Sequence, residues 1–158
     1  MCNLRPTSRG AVTLTSADSR TPPDIDPAYL TSEEDRAIAA KSLRITRKIV
    51  LDSDAFALLE PLEHLPGAQI KTDAELAEAA GSIATSIFHP VGTCKMGPEA
   101  DPNAVVDARL RVHGIDGLRV VDASIMPRIV SSNTNSPTIA IAEKGAEMIL
   151  DDAAAARR

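Results

Sequence analysis

The sequence predicts an α/β or α+β chain, with helical elements first and a strand–loop–helix unit last. Three observations predict it. Two capping boxes, Thr31 with Glu34 and Thr72 with Glu75, each precede a stretch with helical spacing. The segment LRVVD at 118–122 reads as a strand buried on both faces. Ser136-Pro137 then opens a final helix, with Ser136 as cap and Pro137 at the first helical position.

In chain order, AVTLT at 11–15 alternates apolar and polar residues, as a half-buried strand does. The following TPPDIDPAYL holds Pro22, Pro23 and Pro27 and predicts an extended loop. A helix runs from the Thr31 box to near Val50, with Ile38, Leu43, Ile45 and Ile49 as its buried side. A short helix over Asp54–Leu62 ends at Pro66-Gly67. The Thr72 box starts a helix whose inward face is Leu76, Ala79, Ile83 and Ile87, stopping just before His89-Pro90. Residues 104–112 predict a strand and His113-Gly114 a turn. The last helix reaches about Leu150, facing inward with Ile141, Ala142, Gly145 and Ile149, and the Ala-rich end from Asp151 is a frayed tail.

Composition narrows the function classes. The chain has 158 residues, 44% apolar and 25% charged, the balance of a globular protein. It has no Trp, one Tyr and two Phe, so its core rests on Ala, Ile, Leu and Val. A net charge of −5 without a basic stripe argues against nucleic acid as a partner. No apolar run approaches the ~20 residues of a membrane span, and the opening MCNLRPTSRG is not a signal peptide. Cys2 and Cys94 form no C-x-x-C pair and read as free thiols, and the three histidines lack metal-ligand spacing, so no metal site is expected.

Three places can carry chemistry. His89 in IFHPVGTCKMG is followed by Pro90, which favours extended backbone at His89, and by Gly92, which permits close approach. With an ordinary pKa near ~6.5, a histidine can accept a proton at neutral pH, although a lone histidine is more often structural. In VVDASIMP, Asp122-Ala123-Ser124 follow the buried strand, at the edge where open α/β folds bind ligands; an Asp-capped turn without ligand is the plainer reading. In SSNTNSPT, Asn133 and Asn135 stand at a helix N-terminus, which attracts anions, or they simply close the turn.

HPVGTCKMG, VVDARLRVHGIDGLRVVDASIMP and SSNTNSPTIAIAEKGAEMI together closely resemble the C-terminal signature of the glucose–methanol–choline (GMC) oxidoreductases, nearest to bacterial choline and alcohol dehydrogenases. RPTSRGAVTLTSADSRTPPDIDPAYL resembles the segment that leads out of the family's substrate domain. The resemblance implies an FAD-dependent oxidoreductase acting on the CH–OH group of a small alcohol. It places the active-site histidine on His89, which takes the hydroxyl proton as hydride moves to the flavin. The second active-site position falls on Asn133, which as an amide hydrogen-bonds the substrate oxygen. Asp122 and Ala123 match the turn along the cofactor, and Thr134 and Asn135 match backbone near the flavin's pyrimidine edge. His64 and His113 match no functional position, and Cys94 is expected to be a small buried side chain.

On the same resemblance, residues 1–112 are part of the substrate-binding domain, 113–152 are the terminal strand–loop–helix of the FAD-binding domain, and 153–158 are a disordered tail. The family's G-x-G-x-x-G fingerprint is absent. The chain is therefore expected to be inactive alone, as a truncated frame or one half of a split enzyme, with a separate N-terminal FAD-binding half as partner. The contrasting expectation is a non-catalytic remnant or interaction module. Either product should expose apolar area and belong in the cytoplasm or at the periphery of the inner membrane.

Overall fold

The computed structural model describes residues 1–157, which divide into one unit from Met1 to Ile87 and another from Phe88 onward. The first unit contains strands β1 (Ala11–Thr13) and β2 (Asp24–Asp26) and helices α1 (Glu33–Leu51), α2 (Asp54–Ala57) and α3 (Asp73–Ile83). The second has a 3₁₀ turn at Ala123–Ile125 and one long helix, α4 (Asn135–Ala155).

In the first unit, a buried carboxylate ties the N-terminal segment to the start of α1. Asp35 accepts from Asn3 Nδ2 and Thr7 N at Oδ1 and from Ser8 N at Oδ2, over 2.8–3.0 Å. Burial pushes its pKa up, but the hydrogen bonds from Ser8, Thr7 and Ser32 outweigh it and hold the carboxyl below its ordinary value. The cap of α1 is Ser32 rather than Thr31: Ser32 Oγ accepts from Asp35 N, while Thr31 Oγ1 donates back to the Ala28 carbonyl. Ala40 of α1 packs with Leu76 and Ala77 of α3, flanked by Leu43 and Ile70. Ile45 and Ile49, expected inside, are exposed. Arg47 explains how the far end of α1 is fixed without them. Its guanidinium pairs with Glu63 at 2.8 Å and donates to the carbonyls of Gly67 and Ile70.

Several expected elements are shorter. β2 forms inside the proline-rich loop because Pro22, Pro23 and Pro27 flank its three residues without interrupting them; it pairs antiparallel with β1, Val12 opposite Ile25. Both strands are exposed throughout, so β1 is not half-buried. The expected helix at 54–62 closes after Ala57. The capping box of α3 is present as expected, Thr72 and Glu75 bonding reciprocally. That helix stops at Ile83, five residues before the expected end, because Gly81 and Ser82 weaken its last turn and Ala84 is extended. Ala80 completes its buried face; Ile83 and Ile87 are largely exposed.

The second unit is built with little regular sheet. Residues 104–112 were expected as a strand but make only isolated bridges, Met96 with Val106 and Val106 with Val112. The cause is local: Asp107 Oδ1 accepts from the backbone of Arg109 and Arg111, folding a turn that leaves Leu110 at φ 64°. Segment 118–122 is likewise no strand buried on both faces. It bridges Arg111 through Arg119, with Val120 and Val121 half-buried. The core is Val106, Leu110 and Ile125, against which Val120, Val121, Ile141 and Met148 pack.

Helix α4 covers that core with Ile141, Gly145 and Met148, while Ala142 and Ile149 are exposed, contrary to expectation. A Cβ at Gly145 would lie 2.5 Å from Val121 Cγ1 and 3.2 Å from Leu110 Cδ1, so α4 approaches this closely only because residue 145 lacks a side chain. The Ala-rich segment expected as a tail is helical to Ala155, and Arg158 lies outside the described residues. Asp152 explains the extension. It receives Arg109 at 2.7 Å, Arg111 at 2.5 Å and Arg119, which also donates to the Arg109 carbonyl. The Arg111 bond, the Arg119 bond and the nearby Arg109 charge outweigh partial burial and hold the Asp152 pKa at about 2. Among the described residues, no helix is long and apolar enough to cross a membrane.

Two predictions follow from α4. Gly145→Val places two methyl groups into occupied space and lowers stability by about 1–3 kcal/mol, more than the helix-propensity gain offsets; urea unfolding would measure this. A pKa near 2 lies below the ordinary carboxylate value, so the Asp152 cluster stabilises the fold above pH ~4 and loses that effect as pH falls toward 2. Asp152→Asn should therefore speed amide exchange along the end of α4 at pH 7, and wild type and variant should converge over that acid range.

Candidate functional site

His89 sits on a strap without regular secondary structure, held downstream by backbone hydrogen bonds. Phe88 before it adopts φ 61°, an uncommon conformation for a bulky residue, and Pro90 follows it. Downstream, Cys94 N donates to the Ser124 carbonyl at 3.0 Å and Met96 N to Ile125 at 2.8 Å. The strap is thus laced to the turn at 122–125. Gly92, at φ +92°, lies where a Cβ would come within 3.3 Å of the Met126 carbonyl. Glycine suits this position because its φ is positive and the Met126 carbonyl lies close to it.

The half-buried His89 ring reaches across 45 positions of sequence to the head of α4, where its Nδ1 lies 2.9 Å from Thr134 Oγ1. Thr134 is the N-cap of α4, displacing Ser136 from that role, and Pro137 stands third in the helix. A missing N–H is tolerated there, because first-turn amides have no intrahelical partner. The first α4 backbone bond is donated by Thr138 N to the Thr134 carbonyl. Thr134 is buried, while Asn133 and Asn135 on either side are exposed.

At the other expected position, Asp122 Oδ1 accepts from Ser124 N at 2.7 Å, capping its own turn, and Ala123 begins the 3₁₀ turn. Ser124 Oγ is buried without a hydrogen-bond partner among the described residues, an unusual state for a hydroxyl. His113 stands in a turn, as expected, and is half-buried. Its Nε2 lies 3.1 Å from the Gly97 carbonyl and must donate there. His64 is exposed, and Cys2 and Cys94 are free thiols, the latter half-buried. No group of three or more metal-ligating side chains occurs among the described residues.

Comparison with known proteins decides the family. The family model described as GMC oxidoreductase matches residues 6–142. This chain belongs to the GMC oxidoreductases. It is 45% identical over 150 residues to alcohol dehydrogenase [acceptor] of Pseudomonas putida, covering 95% of this chain and 27% of that relative. With mitochondrial choline dehydrogenase of Mus musculus it shares 44% identity, over 92% of this chain and 24% of the relative. Among solved structures, pyridoxine 4-oxidase from Mesorbium loti superposes with a TM-score of 0.81 at 38% identity, covering 91% of this chain and 28% of that one. An FAD-dependent oxidoreductase from Chaetomium thermophilum gives a TM-score of 0.87 at 31% identity, covering 95% and 26%. The chain thus spans about a quarter of the length of these GMC relatives and corresponds to a C-terminal part of the fold.

Within this GMC segment, His89 and Thr134 meet side chain to side chain, and Asn133 and Asn135 flank that contact in sequence. Among the described residues, Asp122 and Ala123 bond only within their own turn, which joins the His89 strap through the carbonyls of Ser124 and Ile125. Sequence reasoning missed two features. The contact of the Thr134 hydroxyl with His89 is the first; its signal was Pro137 three residues on, which cannot donate to a cap oxygen. Ser124 was singled out with its turn, but nothing in the sequence signalled its orphaned hydroxyl, because only tertiary packing shuts it away. Ser124→Ala removes that unsatisfied group, and should raise the unfolding free energy of the chain by about 1 kcal/mol in denaturant titration.

Proposed function

We propose that this chain supplies the proton-handling side of an active site that oxidises a small alcohol with FAD. The observation that carries the reading is the His89 ring, held by Thr134 at the N-terminus of α4 with Asn133 adjacent in sequence. The ring nitrogen that does not face Thr134, Nε2, takes the hydroxyl proton of the substrate. The Asn133 amide donates a hydrogen bond to the substrate oxygen as it becomes a carbonyl. An amide is not basic near neutral pH, so proton transfer belongs to His89 alone.

The residues present fit one edge of a flavin. The first-turn N–H groups of α4, from Asn135 on, lack intrahelical partners and carry the positive end of the helix dipole. Ser124 Oγ is an orphaned hydroxyl beside Ala123, in the turn capped by Asp122. Asp122, Ala123, Thr134 and Asn135 would hold that polar edge, and the bound flavin would supply the acceptor for the alcohol's α-hydride. The ADP half of FAD needs a glycine-rich turn that this sequence lacks, so those contacts come from an N-terminal FAD-binding half. Large apolar side chains open to solvent, among them Leu14, Leu58, Leu62 and Phe88, agree with a chain that packs against further protein. On this reading, residues 1–112 belong to the substrate side of the enzyme and 113–152 to the flavin side.

A second reading, a non-catalytic remnant or interaction module, is favoured by one observation, the missing glycine fingerprint. Flavin absorbance separates the two. The chain would be purified alone and together with the N-terminal FAD-binding half of the Pseudomonas putida relative. A bound-flavin spectrum is expected only in the combined sample, and His89→Ala should slow alcohol-dependent flavin reduction by about 10²–10⁴-fold while flavin is retained. Absence of flavin from both samples, with helicity intact by circular dichroism, would leave the remnant reading.

A further inference from the structure

We propose that Thr134 is a positioning residue for His89, fixing the ring through its side-chain hydroxyl and holding the proton on Nδ1 so that Nε2 stays an acceptor. The inference rests on the reading of His89 as the base and adds what makes that base competent.

A threonine at a helix N-cap ordinarily accepts, through Oγ1, from the backbone N–H two or three residues on. Here the residue three on is Pro137, which has no N–H, and Thr134 makes no side-chain capping bond. Its backbone, at φ −85° and ψ −7°, is also helical rather than extended, which turns Oγ1 away from the first-turn amides. Thr134 is only 8% exposed, so water is a poor substitute for the absent donor. The remaining candidate is the imidazole, with Nδ1 at 2.9 Å. If Nδ1–H donates to Oγ1, the acceptor gains the donor that Pro137 withholds, and the threonine O–H remains able to serve a second acceptor.

The consequence is chemical. A neutral imidazole carries one proton, and the hydrogen bond at one nitrogen decides which nitrogen is the base. A ring protonated on Nε2 could not take the substrate proton there. Thr134 therefore has two effects, holding the ring plane at the head of α4 and selecting the tautomer. The valine isostere loses both, and serine keeps both.

The test uses ¹⁵N-histidine-labelled chain at alkaline pH, where imidazole is neutral, with His89 assigned by the signal lost in His89→Gln. The expected spectrum shows His89 protonated on Nδ1 in the wild type and in Thr134→Ser, and a tautomer mixture in Thr134→Val. Protonation on Nε2 in the wild type, or no change in Thr134→Val, overturns the proposal. In the flavin-loaded complex, Thr134→Val should lower kcat about 10- to 100-fold with KM little changed, and serine should restore it. Loss of activity in His89→Ala without loss in Thr134→Val would reject the positioning role and keep the base. A threonine-dependent tautomer with full activity in His89→Ala would reject the base instead.

Discussion

Gly145 is the residue on which the second unit depends. Without a Cβ there, α4 lies directly on Val121 and Leu110, closing a core of only three fully buried aliphatic side chains and their half-buried neighbours. A core this small, in a chain nearly free of aromatics, tolerates little misfit, since dispersion contacts fall away within an ångström. The same seating fixes both ends of α4. Its C-terminal end presents Asp152 to three arginines from the turn segments, and its N-terminal end presents Thr134 to His89.

The loops of this unit need another source of order, because almost no sheet is available. Backbone bonds from Cys94 and Met96 to the 124–125 carbonyls, and from Val105 to Lys95, satisfy groups that a sheet would otherwise pair. That lacing makes a strap without regular secondary structure stiff enough to hold the His89 ring against Thr134. Side chains in loops on a firm scaffold are where enzymes commonly keep their chemistry. Here the scaffold is one helix and a turn, in a chain that spans about a quarter of the length of its GMC relatives.

Two kinds of polar group differ in how far this chain satisfies them. Asp35 and Asp152 are fully engaged, and both carboxyls lie below their ordinary pKa because donors surround them. They hold segments to helices. Ser124 Oγ is instead left without a partner among the described residues, and the first-turn amides of α4 lack intrahelical partners, beside the residues that the family resemblance assigns to the cofactor. Unmet hydrogen-bonding capacity of this kind is what a bound group repays, whereas a structural network leaves none.

Local rules were enough to read some elements from the residues themselves. The Thr72–Glu75 capping box, the extent of α1 and the existence of α4 all follow from contacts within a few positions of sequence, which is why they were legible. The order and spacing of the HPVGTCKMG and SSNTNSPT blocks likewise carried the family. Tertiary structure decided the rest. LRVVD has the composition of a buried strand, yet no neighbouring strand pairs it along its length, and Arg119 within it reaches Asp152 instead. The inward face of α4 passes through Gly145 and Met148 rather than Ala142 and Ile149 because Val121 and Leu110 stand there. The Thr134 hydroxyl meets His89 across 45 residues, a distance no periodicity spans, because the close seating of one helix brings its first residue to the ring.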